Sequence, residues 1–167
     1  MPTFTQIGTA QVVGAGGSAT IDFNTIPGTY TDLILKVSAR TTFATNGDLG
    51  YVRFNGSAST YSVKRLAGDG SSAFSSGGSE IYFRNDGASD TASTFGNVDI
   101  YIPNYASSTQ KSVSLDSVNE NNATLAYTQL SAGLWTGTAA ITQVTLYPNN
   151  GVWAQYSTAY LYGVSNA

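Results

Sequence analysis

Residues 95–122 read FGNVDIYIPNYASSTQKSVSLDSVNENN, and the fold class follows from them. Val98, Ile100 and Ile102 alternate with Asp99 and Tyr101, the period of two that belongs to a half-buried strand. Pro103-Asn104 breaks the pattern, and the Ser/Thr-rich residues 106–109 read as a turn. A second alternation follows, with Val113, Leu115 and Ser117 on one face and Ser112, Ser114 and Asp116 on the other. The reading is a hairpin with one apolar face. Two strands alone are marginal in water, so further strands must cover that face.

The flanks supply them. Residues 30–40 place Leu33, Leu35, Val37 and Ala39 inward against Lys36, Ser38 and Arg40 outward; Ile34 suits a strand covered on both faces near its start. Residues 20–24 put Ile21 and Phe23 on one side, between a GAGGS turn at 14–18 and a Pro27-Gly28 turn. Short strands are expected at 50–55, 61–66 and 80–84, with Asn46-Gly47 as a two-residue hairpin connection. Residues 67–79 read as a flexible Gly/Ser loop carrying Phe74 alone. Residues 125–135 alternate Ala126, Thr128 and Leu130 against Tyr127 and Gln129, then meet a kink at Gly133. Val144 and Leu146 share a face in 141–147, and PNNG at 148–151 reads as a hairpin connection. In a last strand over 152–164, Tyr156, Thr158, Tyr160, Tyr162 and Val164 oppose Trp153, Ala159 and Leu161.

No helical periodicity with caps occurs. About ten short strands separated by turn residues point to an all-β fold, an antiparallel two-sheet β-sandwich of the jelly-roll type. Residues 1–9 are expected as an N-terminal arm or an edge strand, and 10–167 as a single β-sandwich domain.

Composition narrows the function classes. Hydrophobic residues make up 41% of the 167, but charged residues only 10%, against about 25% in typical domains. Ser, Thr, Asn, 18 Gly and 11 Tyr fill the difference. The net charge is −3, and Lys36, Arg40, Arg53, Lys64, Arg65, Arg84 and Lys111 are dispersed, which argues against a nucleic-acid partner. No basic start with an apolar run marks a signal peptide, and no stretch reaches the ~20 apolar residues of a membrane helix.

Candidate chemistry is sparse. With no His and no Cys, a Ser-His-Asp triad, Cys-His catalysis and His- or thiolate-based metal centres are excluded. The GAGG run lacks the Lys-Ser/Thr of a phosphate loop. Asp116 with Glu120 is the one carboxylate pair considered for glycoside hydrolysis, and chance accounts for it. Asp86, Asp90 and residues 119–122 offer oxygen ligands for Ca²⁺ but no recognised loop spacing, so Asn-rich turns explain them and no cofactor is expected. Tyr51, Tyr105, Trp135, Trp153 and Tyr156 would stack on sugars if exposed together, and otherwise belong to core or interface.

Several segments carry a resemblance: Ile26–Leu33 (IPGTYTDL), Ser38-Ala39-Arg40, Val52-Arg53-Phe54-Asn55, Tyr101-Ile102-Pro103-Asn104-Tyr105, DSVNENN at 116–122, Ala132-Gly133-Leu134-Trp135 and YSTAYLYG at 156–163. Together they resemble a pattern of tailed-bacteriophage virion proteins, spanning about residues 21–164. The resemblance implies a non-enzymatic virion surface component. It is either a capsid decoration (cement) protein on the outer surface of a phage head, or a tail fibre or receptor-binding domain that recognises host glycans. No shaft or attachment segment accompanies the domain, so decoration is the expectation. The implied partners are the major capsid protein and further copies of the chain, as a homotrimer. Candidate interface residues are Phe4, Ile7, Phe74, Trp135, Trp153, Tyr156, Tyr160 and Tyr162; since one strand face must be core, only one of the Tyr156 and Trp153 faces is expected to reach a partner.

Overall fold

Wherever apolar residues recur at every second position the chain is extended, and the computed structural model, which describes residues 1–122 and 125–165, arranges these segments in two packed antiparallel sheets. Residues 123, 124, 166 and 167 of the expected domain lie outside the described residues. The strands are β1 (Thr3–Gln6), β2 (Gln11–Val12), β3 (Ile21–Phe23), β4 (Asp32–Ala39), β5 (Asp48–Phe54) and β6 (Tyr61–Gly68). They continue as β7 (Ala73–Gly78), β8 (Ile81–Asn85), β9 (Gly96–Ile102), β10 (Lys111–Val118), β11 (Thr128–Trp135), β12 (Val144–Pro148) and β13 (Thr158–Ser165). No helix occurs among the described residues. The fold is an all-β sandwich.

The larger sheet runs β1-β13-β4-β9-β10-β11-β6-β7, with β2 also on β13; the smaller runs β3-β12-β5-β8. The expected central hairpin is present as β9 and β10, with Ile100 opposite Leu115. Leu33, Leu35, Val37 and Ala39 of β4 are buried beside it, with Lys36 and Ser38 outward. Ile21 and Phe23 of β3, Val52 and Phe54 of β5, Ile81 and Phe83 of β8, and Val144 and Leu146 of β12 close the core from the other side. Each such side chain contributes about 1.5–3 kcal/mol by leaving water.

Trp153 is the largest fully buried side chain among the described residues. It stacks on Phe83 with centroids 6.2 Å apart, and its Nε1–H donates to the Leu146 carbonyl at 3.1 Å. A Cβ on Gly50 would stand 2.4 Å from the Phe83 ring and 2.7 Å from Trp153, so glycine is required there.

Several expectations are corrected. Residues 67–79 are not a loop: β6 continues to Gly68, and Ala73–Gly78 pairs with it as β7, placing Phe74 opposite Ala67. The Asp69 carboxylate accepts from the amides of Ser71 and Ser72, which closes the turn between these strands. Asn46-Gly47 and Pro148–Gly151 end or begin strands without forming hairpins, because β4 and β5, like β12 and β13, lie in different sheets. The last strand begins only at Thr158, after a turn in which Tyr156 takes a left-handed backbone (φ +72°). β11 runs unbroken through Gly133, where a Cβ would meet Ile81 at 2.9 Å. Residues 1–9 contribute β1, an edge strand on β13 with all four residues exposed.

Candidate functional site

The alternation that fills the core also determines what faces outward. Across the outer face of the larger sheet, Tyr160, Lys36, Asp99, Asp116, Leu130, Leu66 and Ser75 are successive cross-strand partners. The adjacent row is Tyr162, Ile34, Tyr101, Ser114, Ala132, Lys64 and Gly77. Leu130 and Leu66 face each other at 58% and 57% exposure, with Tyr101 at 40% and Tyr160 at 36%. A groove of about 680 Å³ runs over this face, lined chiefly by Ile34, Tyr101, Leu66 and Leu130.

Its charges are balanced, Lys36 and Lys64 against Asp99 and Asp116. Lys36 is ion-paired to Asp99; Asp116 neighbours Leu130 in the same row, and Lys64 stands in the adjacent row on β6. The Tyr101 hydroxyl donates to Asp32 at 2.9 Å, and that bond, with burial adding to it, raises the phenol above its ordinary pKa. The face thus combines exposed apolar side chains with one ion pair, Lys36–Asp99.

The eight candidate interface residues divide. Tyr160, Tyr162 and Phe4 lie on this outer side, since Phe4 pairs with Val164 and Gln6 with Tyr162. Tyr156 is exposed at its turn, where its N–H donates to the Val13 carbonyl at 2.9 Å. Ile7 packs against the core cluster. Phe74 points inward, edge-on to Tyr127 at 6.1 Å with the Arg65 guanidinium over its ring. Trp135 and Trp153 are corrected from interface to core: both are buried, Trp135 edge-on to Phe54 and Trp153 stacked on Phe83. The face that retains access is therefore the Tyr156 one. Ile34, Leu66, Tyr101 and Leu130 were missed. Their signal was pairing: Leu66 and Leu130 are each out of phase with the inward residues of their own strand, and only the β6–β11 register brings them together.

The other candidates separate as well. Asp116 lies on the exposed face, whereas Glu120 is beyond β10 and accepts from the Asn122 amide at 2.8 Å. The residues considered for sugar stacking are not exposed together, because Tyr105, Trp135 and Trp153 are core. Tyr51 joins a different row, Tyr147-Tyr51-Tyr82 across β12, β5 and β8. There Tyr147 stacks on Tyr51 at 5.1 Å, lies under Arg53 at 4.2 Å and donates to Glu80 at 2.7 Å. Burial, with the Glu80 bond next, holds the Tyr147 phenol protonated well above its ordinary range. Lys111 is buried, its ammonium donating to the carbonyls of Ser107, Thr109 and Ala139, and burial lowers its pKa. Asp86, Asp90, Asn119 and Asn121 are buried together beyond the end of β8, and desolvation pushes the Asp86 carboxyl up.

No family model, no curated protein and no solved structure matches the chain.

Proposed function

We propose that this chain is a non-enzymatic structural protein of a virion, a decoration (cement) protein bound to the outer surface of a phage head, and that its sandwich is a jelly roll. The observation that carries the reading is the outer face of the larger sheet, where Leu66, Leu130, Tyr101 and Tyr160 stand exposed on a rigid ladder among balanced charges. A permanent partner surface, such as the major capsid protein, is what such a face requires to leave water. The sequence resemblance supplies the identity of that partner.

The jelly-roll reading is supported by nested pairing. With the hairpins β6–β7 and β10–β11 set aside, β1 pairs β13, β3 pairs β12, β4 pairs β9 and β5 pairs β8. First with last and second with next-to-last is the order made by winding one long antiparallel hairpin into two sheets. Further copies would meet at the β1–β13 end of the larger sheet, through Tyr156, Tyr160, Tyr162 and Phe4, around a threefold axis. Tyr freezes only two χ angles on contact and keeps a hydroxyl for a wet rim.

A second reading, a receptor-binding domain for host glycans, draws on the Tyr147-Tyr51-Tyr82 row and Glu80 on the outside of the smaller sheet. The test is add-back of purified protein to heads stripped of it. Wild type is expected to bind and to raise the heads' resistance to heat, whereas Leu66→Ser/Leu130→Ser folds normally and fails to bind. Equal binding by the variant removes the leucine pair from the interface, and glycan binding without head binding favours the second reading.

A further inference from the structure

From Asn85, the last residue of β8, the chain turns through Asp86 and Gly87 and is drawn into a loop over 88–94 by Arg40. The Arg40 guanidinium donates to the carbonyls of Ala88, Asp90, Thr91 and Thr94, at 2.9–3.3 Å. Its remaining contact is to the Thr94 hydroxyl at 3.2 Å, so the guanidinium is taken up by this loop and not by a carboxylate. Among the described residues neither Asp86 nor Asp90 is in an ion pair. Asp90 Oδ2 accepts from the amides of Gly47 and Gly87, each at 2.7 Å. Asp86 Oδ1 accepts from Asn121 Nδ2 at 3.3 Å, and Asn85 Nδ2 donates to the Asp86 carbonyl at 3.2 Å.

Four oxygens remain without a hydrogen-bond partner in the protein: Asp86 Oδ2, Asp90 Oδ1, Asn85 Oδ1 and Asn121 Oδ1. Their residues are 5% exposed or less. Asn121 Nδ2 is anchored on the Asp86 carboxylate, so its Oδ1 stays beside that group, while Asn85 is the residue before Asp86 and its Nδ2 is anchored on the Asp86 backbone carbonyl. Neither carboxylate has an ion pair, and the amide oxygens only accept; the donors beside them are the Thr94 hydroxyl at Asp86 and Asn119 Nδ2, itself unpartnered, and burying the remaining oxygens uncompensated is costly.

We propose that this cluster is a calcium site, with Asp86 and Asp90 as charged ligands and Asn85 and Asn121 as neutral ones. The donors are all hard oxygens, and among the described residues no three His, Cys, Asp or Glu side chains stand together, which suits neither zinc nor a soft metal. Carboxylates mixed with amide oxygens in a loop suit the larger, more flexible shell of Ca²⁺ better than the strict octahedron of Mg²⁺. Two carboxylates balance the ion's charge, and so few charged ligands place the affinity with extracellular calcium modules, Kd on the order of 10⁻⁴–10⁻³ M. The site ties the end of β8 to the segment after β10.

The experiment is thermal unfolding of chelator-treated full chain, with Ca²⁺ or Mg²⁺ added, beside amide NMR spectra. About 10 mM Ca²⁺ is expected to raise Tm by about 3–6 °C, Mg²⁺ by clearly less, and Asp86→Asn or Asp90→Asn to lose the Ca²⁺ response. The Gly47 and Gly87 amides, which hold Asp90, are expected to shift with Ca²⁺ in the wild type, a readout that stands even if a variant fails to fold. No Ca²⁺ response, or a response that persists in both variants or moves amides elsewhere, overturns the site and leaves these oxygens to bridging water.

Discussion

The inner face of the larger sheet has two halves built on different physics. Over β13, β4 and β9 it is wholly apolar, with Leu33, Leu35, Val37, Ile100, Ile102 and Leu161 packed against Phe83, Trp153 and Leu146. Over β11, β6 and β7, where the sheet packs beside edge strand β8, the inward residues include Gln129, Ser131, Arg65 and Phe74. Here hydrogen bonds stand beside the apolar contacts of Tyr61, Val63 and Trp135. Gln129 donates to the Tyr82 carbonyl at 3.1 Å and to Ser131 Oγ at 2.9 Å, and it accepts from Arg65 at 3.1 Å. Arg65 also donates to Ser76 and lies over the rings of Phe74 and Tyr82, while Arg84 lies over Tyr127 at 4.1 Å. Gln129 and Ser131 are buried like the apolar half while Arg65 and Phe74 are half-buried, and only the apolar half announces itself as a hydrophobic pattern.

The comparison is sharpest at Trp153. Trp153→Ala removes a fully buried indole and its bond to Leu146, and is expected to cost about 3–5 kcal/mol in denaturant unfolding. A loss under about 1 kcal/mol would mean that the apolar half tolerates a void, and the contrast would fail.

Gln129→Ala attacks the polar half. It leaves the Tyr82 carbonyl and one Arg65 donor without partners and is expected to cost about 1–3 kcal/mol. A neutral result in the same assay would make the polar half a surface, with its apparent burial carrying no energy.

These halves also explain what could be read from the chain. The strands β3, β4, β9, β10 and β12 were legible because burial and hydrophobicity coincide at Ile21, Leu35, Ile100, Leu115 and Leu146. In β11 they part: Leu130 is exposed and Gln129 buried, so alternation gives the strand but not its direction. β7, with the sequence AFSSGG, has little strand propensity and exists through its ladder to β6. Turn chemistry at Asn46-Gly47 and Pro148–Gly151 marks a reversal without saying which sheet the chain enters next. Of the site, Tyr160 and Tyr162 were legible as one face of a long alternation. Leu66 and Leu130 required knowledge of a pairing between residues 64 positions apart.

The smallest effect expected is at the turn that joins β6 to β7. The Ser72 and Ser71 amides hold the Asp69 carboxyl below its usual range. Because the folded pKa is depressed, the stabilisation is present above the unfolded-state pKa and is lost as pH falls through the folded one. In an NMR pH titration the Ser71 and Ser72 amides should share a midpoint below the ordinary Asp value, and Asp69→Asn should abolish it. A midpoint at or above that value would remove the turn's contribution to the polar half.

The proposed role depends on the outer face of this same sheet, and the most direct measurement is where the chain sits on the particle and in how many copies. A cryo-electron microscopy reconstruction of the virion is expected to show the sandwich repeated over the outside of the head, in clusters of three, with the Leu66–Leu130 face against the shell. Density confined to the tail, or a few copies per particle, would contradict the decoration role.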